Sequence, residues 1–366
     1  MFRNVLLLLA ALVAIAVFTG CQSDDNPTNP VTPVTYDSTG YAAATQGEFQ
    51  LRSQMTALVA LLKTARQPGV RLSQSEISTA LLPLSSSIDP AFASQLVKYV
   101  AELADASGGA HSWQSRPGGS ANGGTFGGYL FNEHGLEMEQ MIDKGLYGAM
   151  FFSKASDIAD ESVNRQSIHR MLALFGANPG FPNTDRALVN PDMLAAAYCA
   201  RRDQNDGKGM YSQIRREFVT AMSAAEGSAQ AKSAAMQVLK LWERAIMATV
   251  INYTYTVIGE LSASNPSDSS RALAMHAYGE CVGFLTGWRY VNAPQRTITT
   301  EQIDELLLLL KAPLNGPWTC YEIWQLPADN LSRVVMVRER LQDIYGFSDE
   351  EMISFKTNWV ATQGRK

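Results

Sequence analysis

The chain has 366 residues, 46% of them hydrophobic and 18% charged, with a formal charge of −5. That content suffices for one large or two modest globular domains, and the acidic balance lacks the basic stripe of a nucleic-acid binder. Nucleic acid is therefore excluded as a main partner. Past the first twenty residues no apolar run is long enough to span a bilayer; Leu306 to Leu310 is only five leucines inside an amphipathic pattern.

The N-terminus opens with Met1-Phe2-Arg3, then an almost wholly apolar run from Val5 to Val17, then Phe18-Thr19-Gly20-Cys21. Such a run is short for a membrane span and suits the core of a secretion signal. The Gly20-Cys21 junction resembles the site cut by lipoprotein signal peptidase. Residues 1–20 are thus expected to be a signal peptide, and Cys21 a lipidated anchor whose partner is the membrane. From Gln22 to Pro33 the chain is polar and punctuated by Pro27, Pro30 and Pro33, so residues 21–40 read as a disordered tether. Gln22 stands where an inner-membrane retention signal would have Asp, and Asp24-Asp25 resembles an export tether. The expected address is the bacterial outer membrane, on either its periplasmic or its surface face.

From residue 41 the periodicity is helical almost throughout. Glu48 to Arg66 spaces Phe49, Met55, Leu58, Leu61 and Leu62 three or four apart. Ser73 to Leu82 and Pro90 to Leu103 follow, capped by Ser73 and Asp89. The glycine-rich stretch from Asp105 to Tyr129 predicts a long loop, disordered or loosely draped. Helices are predicted at Asn132 to Ser156, Val163 to Phe175, Pro191 to Arg202, Met210 to Ala225 and Ala229 to Leu261. The last ones are Ser269 to Tyr290, Thr300 to Lys311, Ala328 to Tyr345 and Ser348 to Thr362. No strand is convincing, so the fold class is all-α. Beyond Cys21, the chain has Cys199, Cys281 and Cys320, compatible with one disulfide and one buried thiol.

Several phrases carry a family likeness. They are Thr45-Gln46-Gly47-Glu48-Phe49-Gln50-Leu51-Arg52, the run from Glu137 to Ala149, Leu174-Phe175-Gly176 with Phe181-Pro182, and Leu241-Trp242-Glu243-Arg244-Ala245-Ile246. Together they resemble an uncharacterised bacterial lipoprotein family grouped near the imelysin-like proteins, over most of residues 41–362. The resemblance implies a helical bundle from 41 to 366, with two packed four-helix-type halves as one form. It also implies a link to metal uptake, and imelysins have been described as metal-dependent peptidases. Their motif is GxHxxE. Here Asn132-Glu133-His134-Gly135-Leu136-Glu137 keeps the His and the Glu and has Asn at the first Gly.

Two of the four histidines have a glutamate one helical turn away: His134 with Glu137, and His276 with Glu280. On helices both spacings put the pair on one face, where each pair can share a cation. From His134 a stripe runs through Met138 and Met141 to Gly145 and Gly148; from His276 one runs through Glu280 to Gly283 and Gly287. Glycines on a helix face let another helix approach closely. If the two faces meet, His134, Glu137, His276 and Glu280 converge on a divalent metal or iron in the manner of bundle-core sites. The alternative is structural pairing, with His134 capping a helix start and Glu280 bonded to an Arg or Tyr. Glu243, Asn252 and Glu260 are secondary candidates.

Catalytic templates are absent: there is no HExxH, no nucleophile elbow and no phosphate loop. The run from Asp203 to Gly207 reads as an ordinary turn, since Ile214 falls where a calcium loop needs its acid. Arg165, Arg170, Arg186, Arg201, Arg202, Arg215 and Arg216 concentrate in mid-chain and read as solvated faces or an anion patch. The aromatics from Trp318 to Trp324 read as a core anchor for the C-terminal helices. The expected function is a non-enzymatic, membrane-anchored binding lipoprotein assisting metal or nutrient capture. A metal-dependent peptidase, and a structural protein with no small-molecule site, are the alternatives.

Overall fold

A computed structural model describes residues 35–119, 122–181 and 191–365. The leader, Cys21, most of the tether and Arg186 lie outside the described residues. Helix accounts for 66% of the chain and strand for 3%, so the fold is mostly helical. The helices used below are α1 (Gln46–Thr64), α2 (Gln74–Leu81), α3 (Pro90–Ala106), α4 (Met138–Leu146), α5 (Ser153–Asp160), α6 (Arg165–Phe175) and α7 (Leu194–Arg201). They continue with α8 (Met210–Ser223), α9 (Ala229–Leu261), α10 (Asp268–Arg289), α11 (Thr300–Leu309), α12 (Tyr321–Gln325), α13 (Pro327–Tyr345) and α14 (Asp349–Ser354).

Local chemistry sets many of these starts. Ser73 and Glu76, Thr299 and Gln302, and Ser348 and Glu351 form capping boxes, while Asp89 accepts from the backbone of Ala91 and Phe92 ahead of α3. The 33-residue α9 is the axis of the body and packs along α8 on one side and α10 on another. Its Trp242 meets Phe152 and Phe175 at 5.3 and 5.2 Å, all three fully buried. Each such aromatic stabilises the fold by roughly 2–3 kcal/mol through burial.

Against α10 lies α4, continued by a π-helical stretch from Tyr147 to Phe152. The expected meeting of glycine faces occurs here. A Cβ on Gly287 would lie 2.3 Å from the Gly145 carbonyl oxygen, and one on Gly283 would lie 2.4 Å from that of Gln140. Only glycine permits the two backbones this approach.

Four expectations need correction. The glycine-rich insert is not loosely draped: Gly123–Phe126 (β1) and Tyr129–Asn132 (β2) form an antiparallel hairpin. Trp113 donates to Asp268 at 2.9 Å, and Gln325 donates to the carbonyls of Trp113 and Ser115, binding the insert to α10 and α12. Second, α4 begins at Met138 and not at Asn132. Gly135 adopts a left-handed φ of 75°, and the Asn132 carboxamide accepts from the backbone of both His134 and Leu136, closing a turn. Third, the C-terminal segment is two short helices, α14 and Trp359–Thr362. Fourth, Cys199, Cys281 and Cys320 are all free and buried, so they form no disulfide.

The chain enters this body through a latch. Tyr36 packs edge-on against His169 and Phe181, and its hydroxyl lies 2.6 Å from His169 Nδ1. His169 Nε2 faces the Thr39 carbonyl at 3.0 Å. A carbonyl only accepts, so Nε2 carries the proton and Nδ1 accepts from the tyrosine. Asp37 pairs with Arg165 beside them.

Candidate functional site

The seam between α4 and α10 holds a buried charge network. Glu137, at the N-cap of α4, is fully buried. Its two oxygens are divided: Oε1 meets Arg66 at 2.8 Å and Oε2 meets His276 Nδ1 at 2.6 Å. Arg66 also binds Glu139 through both Nε and Nη2. The other His276 nitrogen faces Glu280 at 3.6 Å, and Glu280 lies 3.4 Å from Lys144 Nζ. Lys144 in turn pairs with Asp143 at 2.7 Å. Tyr129 of β2 stacks on the His276 ring, 4.2 Å between centroids, which explains why the hairpin is held against α10.

The electrostatics follow from this pairing. Burial disfavours the imidazolium of His276, but the hydrogen bond and charge of Glu137, with Glu280, outweigh it and raise its pKa. Burial also opposes the ammonium of Lys144, yet Asp143, Tyr198 and Glu280 hold its pKa well above the ordinary lysine value. Glu139 is pushed up to about 7 by burial and by the neighbouring Glu137, against the pull of Arg66.

Of the four residues expected to converge, the structure brings three together. Glu137, His276 and Glu280 touch across the seam. His134 does not join them, because the turn at Gly135 takes it off the helix. It faces Glu133 at 3.6 Å and sits edge-on to Trp318, with its backbone carbonyl accepting from Cys320. The three that converge do not fit a metal ion. Each carboxylate is already divided between cationic groups, and a dication would enter between Arg66, Lys144 and His276. Among the described residues, no group of three or more His, Cys, Asp or Glu side chains is arranged to hold a metal.

Arg66, Glu139, Asp143 and Lys144 belong to this network, and motif reading does not find them. One signal was available: Glu137, Gln140 and Lys144 follow i, i+3, i+7 spacing, so they share the face that meets Glu280.

A cleft of about 460 Å³ opens beside the seam, between α1, α4 and α7. Asp143 and Lys144 of α4 and Tyr147 just after it contribute to it, so the network reaches the cleft wall. Met55, Val59 and Ala60 come from α1, and Leu194, Ala197 and Arg201 from α7. The α7 wall is fixed by Gly176, whose φ of 101° lets its carbonyl accept from the Met193 backbone; a Cβ there would strike the Met193 carbonyl at 2.1 Å.

Glu243 and Asn252 are architectural. Glu243 is buried and accepts from the backbone of Thr297 and Ile298 and from the Tyr345 hydroxyl. Asn252 donates to the Phe355 carbonyl. His111 is brought down to about 4 by burial, which keeps it neutral in its pocket under Phe131. The arginines of mid-chain do not pool: Arg165 pairs with Asp37, Arg170 with Glu48, and Arg202 donates to the Phe355 carbonyl. Asp203 binds the backbone of Asn205 and Ser212, as a turn residue does. Trp318 and Trp324 are buried, as a core anchor requires. Comparison of the chain with protein-family models, with curated proteins and with solved structures finds no match.

Proposed function

We propose that this chain is a non-enzymatic binding lipoprotein, anchored to the bacterial outer membrane through Cys21, that captures a small molecule in the cleft between α1, α4 and α7. Kinship with the imelysin-like proteins is part of the same reading. It is supported by the facing of α4 and α10, each bringing carboxylate and glycine positions to one seam.

The observation that carries the proposal is the cleft itself. Its volume lies in the range of sites for small organic ligands, and its lining combines apolar side chains with a few charged and hydroxyl groups. The charge network beneath it has a supporting role: it fixes Lys144 and Asp143 in the wall and leaves them little freedom to lose on binding. Direct capture of a metal, and the peptidase alternative that depends on one, have the saturated seam against them.

The test is thermal unfolding of the full chain in detergent, with divalent metals and with a panel of polar and amphipathic metabolites. Metals are expected to leave Tm unmoved and at least one organic compound to raise it. Ala60→Trp, which fills the cleft from its rim, is expected to abolish that rise. A metal-dependent rise lost in His276→Ala, or no rise with any compound, would overturn the reading.

A further inference from the structure

Taking the cleft as the capture site, we infer that its ligand is a small monocarboxylate with an apolar body. The inference rests on how the cleft's charges are committed.

Both carboxylates in the wall are engaged. Asp143 is bound to Lys144 at 2.7 Å, and Asp192 accepts from the Tyr211 hydroxyl. The cations divide differently. Lys144 is held between Asp143 and Glu280. Arg201 lies over the Tyr198 ring at 5.0 Å, and neither it nor Lys63 at the rim has a carboxylate partner among the described residues. A guanidinium over an aromatic ring is held there by cation–π attraction and keeps N–H groups with which to donate. The cleft therefore offers positive charge with which no carboxylate among the described residues pairs.

A second polar group points the same way. Tyr147 is 7% exposed and lines the cleft, and its hydroxyl makes no hydrogen bond among the described residues. Burial and the charge of Asp143 hold its pKa well above the ordinary tyrosine value, so it acts as an O–H donor throughout the physiological range. It also lies in the π-helical stretch, a distortion that often re-aims side chains at functional positions. A guanidinium and a neutral hydroxyl together suit a carboxylate: two donors, one of them charged. An ammonium ligand finds less, since Asp143 is paired with Lys144 and Asp192 already accepts from Tyr211. The rest of the lining sets the body of the ligand. Met55, Val59, Ala60, Leu194 and Ala197 give an apolar wall for that body.

Three probes of equal length separate the possibilities: octanoate, octanol and octylammonium. Binding to the full chain is followed by calorimetry and by the methyl signals of Met55 and Met193, which line the cleft. Octanoate is expected to bind one to one and move both signals, with octanol weaker and octylammonium weakest. Arg201→Met is expected to weaken octanoate about tenfold and to leave octanol unchanged, as loss of a charge-assisted bond requires. Tyr147→Phe is expected to weaken octanoate severalfold and serves as the second variant should the first fold poorly. Equal binding of octylammonium and octanoate, or no effect of either variant on octanoate, would overturn the carboxylate assignment and leave cleft capture standing. If none of the three probes moves the Met55 or Met193 signals, the cleft is not a capture site for such molecules and both readings fall.

Discussion

The α4–α10 seam and the α1–α7 cleft share one length of chain and treat charge in opposite ways. In the seam, Glu137, Glu139, Asp143 and Glu280 face Arg66, Lys144 and His276, and each charge has a partner of the other sign. In the cleft, Arg201 and Lys63 have no carboxylate partner and the Tyr147 hydroxyl makes no hydrogen bond among the described residues. Both regions contain polar groups at helix-face spacing, so residue type alone does not tell them apart. What separates them is saturation. A buried polar cluster whose valences are filled specifies architecture; one with a valence left over specifies something absent from the chain.

The largest expected effect tests the seam. Glu137→Ala leaves Arg66 and His276 without their shared carboxylate and is expected to destabilise the fold by about 4 kcal/mol. Chemical denaturation would measure it, and a loss below about 1 kcal/mol would mean that the pairing is loose enough to resemble the cleft. Next comes the glycine contact beneath the network. Gly287→Ala forces a methyl against the Gly145 carbonyl and is expected to cost about 2 kcal/mol. The same denaturation series in the Glu137→Ala background would show whether backbone approach and charge pairing are coupled.

The last effect is a slope with pH. Glu139 has its folded pKa raised to about 7, so the folded state holds that proton more tightly than the unfolded one. Its contribution is fully present below the ordinary carboxylate range and is lost as pH rises through about 7. The wild type is therefore expected to lose up to about 3 kcal/mol relative to Glu139→Gln between those limits. His276, also raised, adds the same sign, while His111, lowered, has the opposite sign. Stability curves of the two proteins at matched pH would isolate the Glu139 share, and a difference that is flat with pH would remove Glu139 from the coupled network.

Much of the scaffold was legible because its signals are local. Ser73 and Asp89 mark their own helix starts, and α9 has Ala229–Leu261 as its bounds in both readings. The meeting of α4 and α10 was legible from Gly283 and Gly287, since a glycine stripe on a helix has few other uses. His134 was misplaced because Asn132 and Gly135 together outweigh the helical pattern around them, a contest between side-chain capping and periodicity. The hairpin escaped notice because its strands are only four residues long and the first begins Gly123-Gly124, which has little β propensity. The cleft was not legible at all. Its walls come from residues 55–63, 143–147 and 191–201, and nothing in any one of those segments announces the others.

The latch at Tyr36 has a mechanical consequence. If Cys21 carries lipid, about 15 residues separate the bilayer from the point where His169, Thr39 and Arg165 grip the chain. Even fully stretched, that leash reaches about 50 Å. The grip turns its far end into a pivot on the surface of the body, and the distance from that pivot to the cleft is fixed by the fold. Under that reading a molecule held in the cleft would be confined to a layer above the membrane whose height follows from chain length and pivot position. Lengthening the leash would raise the ceiling of that layer without altering a single contact in the cleft.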